Sequence, residues 1–203
     1  MLLNIIHPHT FKQEGDTLMW GPLEERHERD VRISTFVTKA MDCGNKVISY
    51  EFRPLSMFDY GRQLLYLESD PLYSFLFDDR IVKIYTTNYG SPLNEEKPSE
   101  VSDDDWMALG KIYTSHATLG KEVQGQGDVV FIGGLLENCV ANAAGYFDFY
   151  YRIPNQRVFY VPELCVSFDE FANDEIKEKL DDLSIFPLSY EAASELFAVG
   201  QFV

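Results

Sequence analysis

The chain has 203 residues, and 45% of them are apolar, which suits one folded domain with its own core rather than a disordered tail. Seventeen basic residues against thirty-three acidic ones leave a net charge of −16, so direct binding to nucleic-acid phosphates or to an anionic membrane surface is excluded as an expected function. Cys43, Cys139 and Cys165 are an odd set without CxxC spacing, which predicts neither a disulfide framework nor structural zinc and fits reduced thiols in a cytoplasmic setting.

Met1 to Ile6 lacks a basic region ahead of its apolar run, and Pro8 follows too soon for a secretory signal. No apolar run approaches the roughly 20 residues of a membrane helix. Leu2 to Ile6 reads as a buried strand. Gly15 and Gly21-Pro22 mark a loop. Leu23 to Met41 reads as a helix with Val31, Ile33, Phe36, Val37, Ala40 and Met41 at near-helical spacing, and Gly44 stops it. Lys46 to Phe52 is a second strand. Arg53 to Asp79, rich in aromatics and carrying Pro54 and Pro71, reads as an insertion or lid with some helix (about 53–79). Arg80 to Thr87 is β-branched and alternating, a third strand.

Ser91 to Asp105 is a polar, acidic loop, and Ser102 with Asp105 has the form of a capping box. It predicts a helix from Asp103 to Leu119, with Trp106, Leu109, Ile112 and Tyr113 inward. Gly125 and Gly127 break the chain. Asp128 to Gly133 is continuously apolar after its first residue, as a central parallel strand should be. Asn138 to Tyr151 reads as a helix, Arg157 to Glu163 as a strand, Asp169 to Leu180 as an acidic surface helix and Ser184 to Pro187 as a short strand. Ser189 caps a last helix through Phe197. The alternation predicts a single three-layer α/β domain over residues 1–203: a mostly parallel, Rossmann-like central sheet of about six strands with helices on both faces. Ligand sites in such sheets lie outside the carboxyl ends of the strands.

The segment with most chemistry is the turn at Cys139. A strand ends in two glycines and a helix starts near a thiol. Unpaired N–H groups at a helix start favour thiolate, lower a cysteine pKa, and can hold an oxyanion after attack on a carbonyl or nitrile carbon. The other reading of Cys139 is a buried structural cysteine. Aromatics at Tyr50, Phe52, Phe58, Tyr60, Tyr66, Tyr73, Tyr85 and Tyr89 either line a pocket or pack a core.

Gly133-Gly-Leu-Leu-Glu-Asn-Cys139-Val140, followed by Ala143 and Ala144, resembles the nucleophile turn of the isochorismatase-like cysteine hydrolases, a family that includes nicotinamidases, isochorismatases and other small-amide hydrolases. Val158 to Ser167 and Gly15 to Glu25 resemble two further stretches of that family more weakly. The resemblance implies a Cys–Lys–Asp triad in which the cysteine forms a covalent intermediate that water releases. It also implies a cis peptide between Gly134 and Leu135. On this pattern Cys139 is the expected nucleophile. Lys83 is the nearest match to the family lysine, ahead of Lys111. Gly134, Leu135, Asn138 and His9 are expected around the substrate or oxyanion. The family aspartate after strand one is not present: His7 stands in its place, with Asp16 a poorer substitute. An imidazole can take a thiol proton; alternatively, catalysis has decayed and His7 is ordinary.

The metal site that nicotinamidases carry after strand two has no histidine counterpart between Glu51 and Asp59. His7 and His9 alone, with no third ligand in sight, make weak metal donors. No metal and no cofactor are expected. The expected function is hydrolysis of a small amide, imide or related C–N bond. The alternatives are a decayed member binding a small molecule or protein, or an acidic interaction protein. The expected partners are a small-molecule substrate and further copies of the chain in a homo-oligomer.

Overall fold

The computed structural model describes residues 1–8, 23–52, 70–86, 102–104, 107, 114–167 and 172–199. Six strands form one sheet: β1 (Leu2–Ile6), β2 (Lys46–Phe52), β3 (Ile81–Thr86), β4 (Val129–Gly134), β5 (Val158–Val166) and β6 (Ile185–Pro187). Their order is β3-β2-β1-β4-β5-β6, and every pairing is parallel. The central strands read as apolar runs because both of their faces are covered: Leu2, Leu3, Ile5 and Ile6 of β1 and Val129 to Ile132 of β4 have no exposed surface.

Alternate residues feed two cores. On one face, α1 (Leu23–Asp42), a 3-10 helix (Pro71–Phe77) and the last helix, α5 (Tyr190–Val199), cover Leu3, Ile5, Val47, Val130 and Ile132. On the other, α2 (His116–Val123), α3 (Ala141–Tyr150) and α4 (Ala172–Asp182) cover Leu2, Ile6, Ile48, Val129 and Phe131. Helix α1 buries Ile33, Phe36, Val37, Ala40 and Met41, the i, i+3, i+4, i+7, i+8 stripe of an amphipathic helix, and leaves Val31 40% exposed. Tyr50 and Tyr73 are core residues of opposite faces rather than pocket lining.

Two expectations are corrected. The helix expected from Asp103 to Leu119 does not run through. The Thr114 N–H donates to Tyr85 O and the Thr114 hydroxyl accepts from Tyr85 N, each at 3.0 Å, which holds that segment against β3. Helix α2 starts only after Ser115, whose hydroxyl caps it by accepting from Thr118 N at 3.3 Å. Strand β5 continues past Glu163 to Val166: where β4 advances from Phe131 to Gly133, β5 advances from Tyr160 to Cys165, and this bulge leaves Pro162 and Glu163 exposed. Of the segment read as an insertion or lid, residues 53–69 lie outside the described residues. Its end is the 3-10 helix, capped by Asp70 accepting from Leu72 N at 3.0 Å, and it packs Tyr73, Phe75 and Leu76 into the α1 core.

Asn4 is fully buried at the centre of β1, level with Ile48 and Phe131, and neither its Nδ2 nor its Oδ1 has a hydrogen-bond partner. A buried unpaired amide costs about 1–3 kcal/mol. Asn4→Leu, similar in volume, is therefore expected to stabilise the fold by about 1–2 kcal/mol, read as a higher urea midpoint at unchanged slope. A lower midpoint would contradict this.

Candidate active site

The crossovers from β1 through β3 lie on the α1 face, whereas α2, α3 and α4 lie on the other. The winding therefore reverses between β1 and β4, and the crevice outside the carboxyl ends of those two strands is the switch point where α/β sheets bind ligands. Two sequence-predicted segments leave the sheet there side by side. Ile6 is level with Gly133, so His7 and the turn carrying Cys139 exit from neighbouring strands.

Gly133 makes this approach possible. Its φ is +123°, and a Cβ at that position would lie 2.2 Å from Ile6 O. The Gly134–Leu135 peptide is cis, as the resemblance implied. Beyond it the chain forms a π-helical turn, Leu136–Val140, before α3 begins. Leu135 O accepts from Asn138 N at 3.2 Å and from Val140 N at 2.9 Å. Cys139 thus sits in a π turn and not in the first turn of a regular helix, a widened geometry that recurs at functional sites.

The Cys139 thiol is partly buried, and burial pushes its pKa up. The backbone N–H groups of Leu135 and of Cys139 itself pull the value back, while the Glu137 charge adds to the rise. The expected lowering is therefore corrected: desolvation of the thiolate outweighs the two amides. The same two N–H groups form a donor pair of the kind that can stabilise negative charge beside the sulfur.

His7 is 2% exposed and has φ +46°. Its N–H donates to Tyr50 O at 2.9 Å, and its Nε2 lies 3.5 Å from the Thr86 hydroxyl. Lys83 lies in the middle of β3, on the α1 face by alternation with Ile81. Its Nζ pairs with Glu51 Oε1 at 3.4 Å and stands 5.2 Å from the centre of the Phe77 ring. Gly134 and Leu135 form the cis bond. The Asn138 side-chain oxygen is taken by Asn142 Nδ2 at 2.8 Å. His9 lies outside the described residues.

Three residues around the Cys139 turn were not singled out as site residues by sequence. The Ser167 hydroxyl, just past β5, donates to Glu137 Oε1. Cys165, level with Gly133 on β5, is buried, and burial pushes its thiol up to about 12. The register of β5 against β4 brings Ser167 and Cys165 to the turn that carries Glu137, a contact no local motif announces.

No protein-family model matches the sequence, and no curated protein does. Solved structures do match. A putative isochorismatase hydrolase from Oleispira antarctica superposes with a TM-score of 0.60 at 11% identity, covering 97% of this chain and 95% of that one. The fold is that of the isochorismatase-like hydrolases. PnC1 from L. infantum, solved in complex with nicotinate, matches at TM-score 0.58 and 14% identity over 94% and 93% of the two chains. The YCAC gene product from Escherichia coli, described as an octameric hydrolase of unknown specificity, matches at TM-score 0.53 and 14% identity over 95% and 76%. Among its described residues the chain gathers no group of three His, Cys, Asp or Glu side chains fit to hold a metal. Residues 53–69, directly after β2, lie outside the described residues.

Proposed function

We propose that the chain is a divergent isochorismatase-like cysteine hydrolase acting on a small amide, imide or related C–N bond, with Cys139 as nucleophile. The observation that carries this reading is a thiol at the sheet's switch point, in a π turn that follows the close-packed Gly133, with an imidazole leaving the neighbouring strand. In this scheme His7 takes the thiol proton as sulfur attacks the carbonyl carbon, and the Leu135 and Cys139 amides stabilise the developing negative charge. The C–N bond breaks as the nitrogen takes that proton. Water then cleaves the acyl–sulfur bond and restores the thiol. Gly134, Leu135 and Asn138 shape the site around the sulfur, and His9 is a further substrate-binding residue in this scheme. Lys83 enters through its pair with Glu51. The three free cysteines and the absence of a membrane-length apolar helix among the described residues support a cytoplasmic setting. The octameric neighbour supports a homo-oligomer.

A second reading, a decayed member that binds a small molecule or protein, is favoured by the raised thiol and by imidazole in place of carboxylate. Site-resolved labelling with iodoacetamide separates the two. The thiol's raised pKa means the labelling rate of Cys139 climbs with pH and is still climbing at about pH 9. If His7 is its base, His7→Gln slows labelling about 10-fold near pH 7.5 and leaves the rate near pH 10 unchanged. Cys139 that stays unlabelled even near pH 10, or labelling indifferent to His7, would support the binding module instead.

A further inference from the structure

Seven large apolar side chains are exposed among the described residues, and three of them, Phe149, Tyr150 and Ile153, fall together at the end of α3 and just past it. Scattered apolar residues on a surface are ordinary, but a contiguous apolar patch marks a docking face. Helix α3 has two such faces. Ala143, Ala144 and Phe147 pack onto the sheet. Asn142, Gly145, Tyr146, Phe149 and Tyr150 recur at i, i+3, i+4, i+7 and i+8 on the outward side. With Lys179 of α4 and Leu183 just past it, they line a groove of about 410 Å³. The rings hold one another in place: the Tyr150 ring centre lies 4.5 Å from that of Tyr146, 4.7 Å from Phe149 and 5.2 Å from His116. Rings ordered in advance lose little freedom when a partner covers them.

Charge and shape select the occupant. The chain carries a net charge of −16, so a second copy approaches most easily where the surface is uncharged. Helix α3 is such a place: it holds a single charged side chain, Asp148, which Arg152 neutralises at 2.7 Å. A basic partner would instead be drawn to carboxylate-rich faces such as that of α4, with five acidic residues and two lysines. The stripe is also self-complementary. Gly145 lies near its middle, with Phe149 one turn beyond and Asn142 one turn before. Two α3 helices packed antiparallel across a two-fold axis at Gly145 set each Phe149 ring, about 6 Å along the helix, against the 141–142 turn of the other. A glycine inside a helix costs stability relative to alanine, and a Cβ at Gly145 would meet only the tip of Leu183, Cδ1 at 3.4 Å. Packing within the chain does not call for glycine there, whereas a second helix crossing closely does. We propose that the outward face of α3, centred on Gly145 and Phe149, is the surface on which a second copy of this chain docks as a two-fold, antiparallel helix pair. The inference rests on the homo-oligomer reading above and deepens it by naming the surface. A stable dimer buries about 800 Å² a side, more than one helix about 15 Å long supplies, so Ile153 and the Lys179 edge of α4 form the rim. Because α4 carries both signs, Lys179 of each copy can meet carboxylates of the other.

The test is sedimentation velocity of the full chain from about 1 to 100 μM. The parent is expected to sediment as a dimer or a larger even-numbered oligomer. Phe149→Asp buries an unpaired carboxylate in each half of the contact and is expected to raise the dissociation constant of this pair about 30-fold or more. Phe149→Ser, which adds no charge, is expected to raise it about 10-fold. Phe149 is 79% exposed in the single chain, so both variants are expected to keep the parent's circular dichroism. Phe186→Asp is the control: that ring is 47% exposed on β6, away from α3, and the variant is expected to sediment as the parent does. Raising NaCl to about 0.5 M is expected to leave the association intact, because the contact is apolar and salt screens the repulsion between two acidic chains. A parent that stays monomeric at the highest concentration overturns both this surface and the homo-oligomer reading. An oligomer that ignores both Phe149 variants, that is lost in Phe186→Asp instead, or that falls apart in salt keeps the homo-oligomer and overturns the surface.

Discussion

Gly133→Ala is expected to prevent normal folding of the sheet. The added Cβ would meet Ile6 O at 2.2 Å and Ile6 N at 2.8 Å, both backbone atoms of the neighbouring central strand. Neither can rotate out of the way as a side-chain tip could. The backbone at Gly133 also holds φ +123°, which alanine adopts only under strain. Relief requires β1 and β4 to part at the level of Ile6, breaking the core pairing that carries the site. The expected loss is at least about 3 kcal/mol, in the range reserved for clashes with fixed backbone. Urea denaturation followed by circular dichroism reads it. Gly125→Ala is the control: it shares a positive φ, but its Cβ meets nothing within 4 Å, so it pays only the conformational strain. Equal midpoints for the two variants would contradict the close approach.

Cys139→Ser is expected to abolish hydrolysis while leaving the fold intact. The hydroxyl is nearly isosteric and keeps the same backbone amides, but it ionises several pH units higher than a thiol and is a far weaker nucleophile without a strong base. Against a panel of small primary amides and imides, followed by release of ammonia or amine, the substrate turned over by the parent chain should lose at least about 10³-fold in kcat/KM. Cys43→Ser should behave as the parent. Cys43 follows α1 at the opposite end of β2 from Glu51, and its backbone N–H only closes the helix on Lys39 O at 3.0 Å. Retained activity in Cys139→Ser would remove the nucleophile from the scheme.

The sheet was legible because burial on both faces writes itself into the sequence as short apolar runs. Lys46 to Phe52 was read with its observed bounds, and β4 to within a residue at each end. The helix misread at Asp103 to Leu119 shows why capping signals compete. Ser102 and Ser115 both offer cap side chains, and only the pairing of Thr114 with Tyr85 on β3, a contact distant in sequence, marks where the later helix begins. The Cys139 turn was legible from its glycines and from the small residues Ala143 and Ala144. Its electrostatics were not: whether amides or burial dominate at a thiol depends on what covers it, and that cover comes from β5 and the π turn together. The burial of Glu51 escaped notice for the same reason. A glutamate in a strand reads as solvent-facing until the lysine two strand positions beyond the start of β3 is seen to meet it.

The central claim is that acyl transfer passes through the sulfur of Cys139. Acid-quenched intact-mass and peptide-mapping measurements during turnover of a hydrolysed amide test it directly. The scheme predicts a mass gain equal to the acyl group on the peptide containing Cys139, appearing before free acid accumulates and absent from Cys139→Ser. Turnover with that peptide unmodified at every quench time, or an acyl group found on another residue, would contradict it.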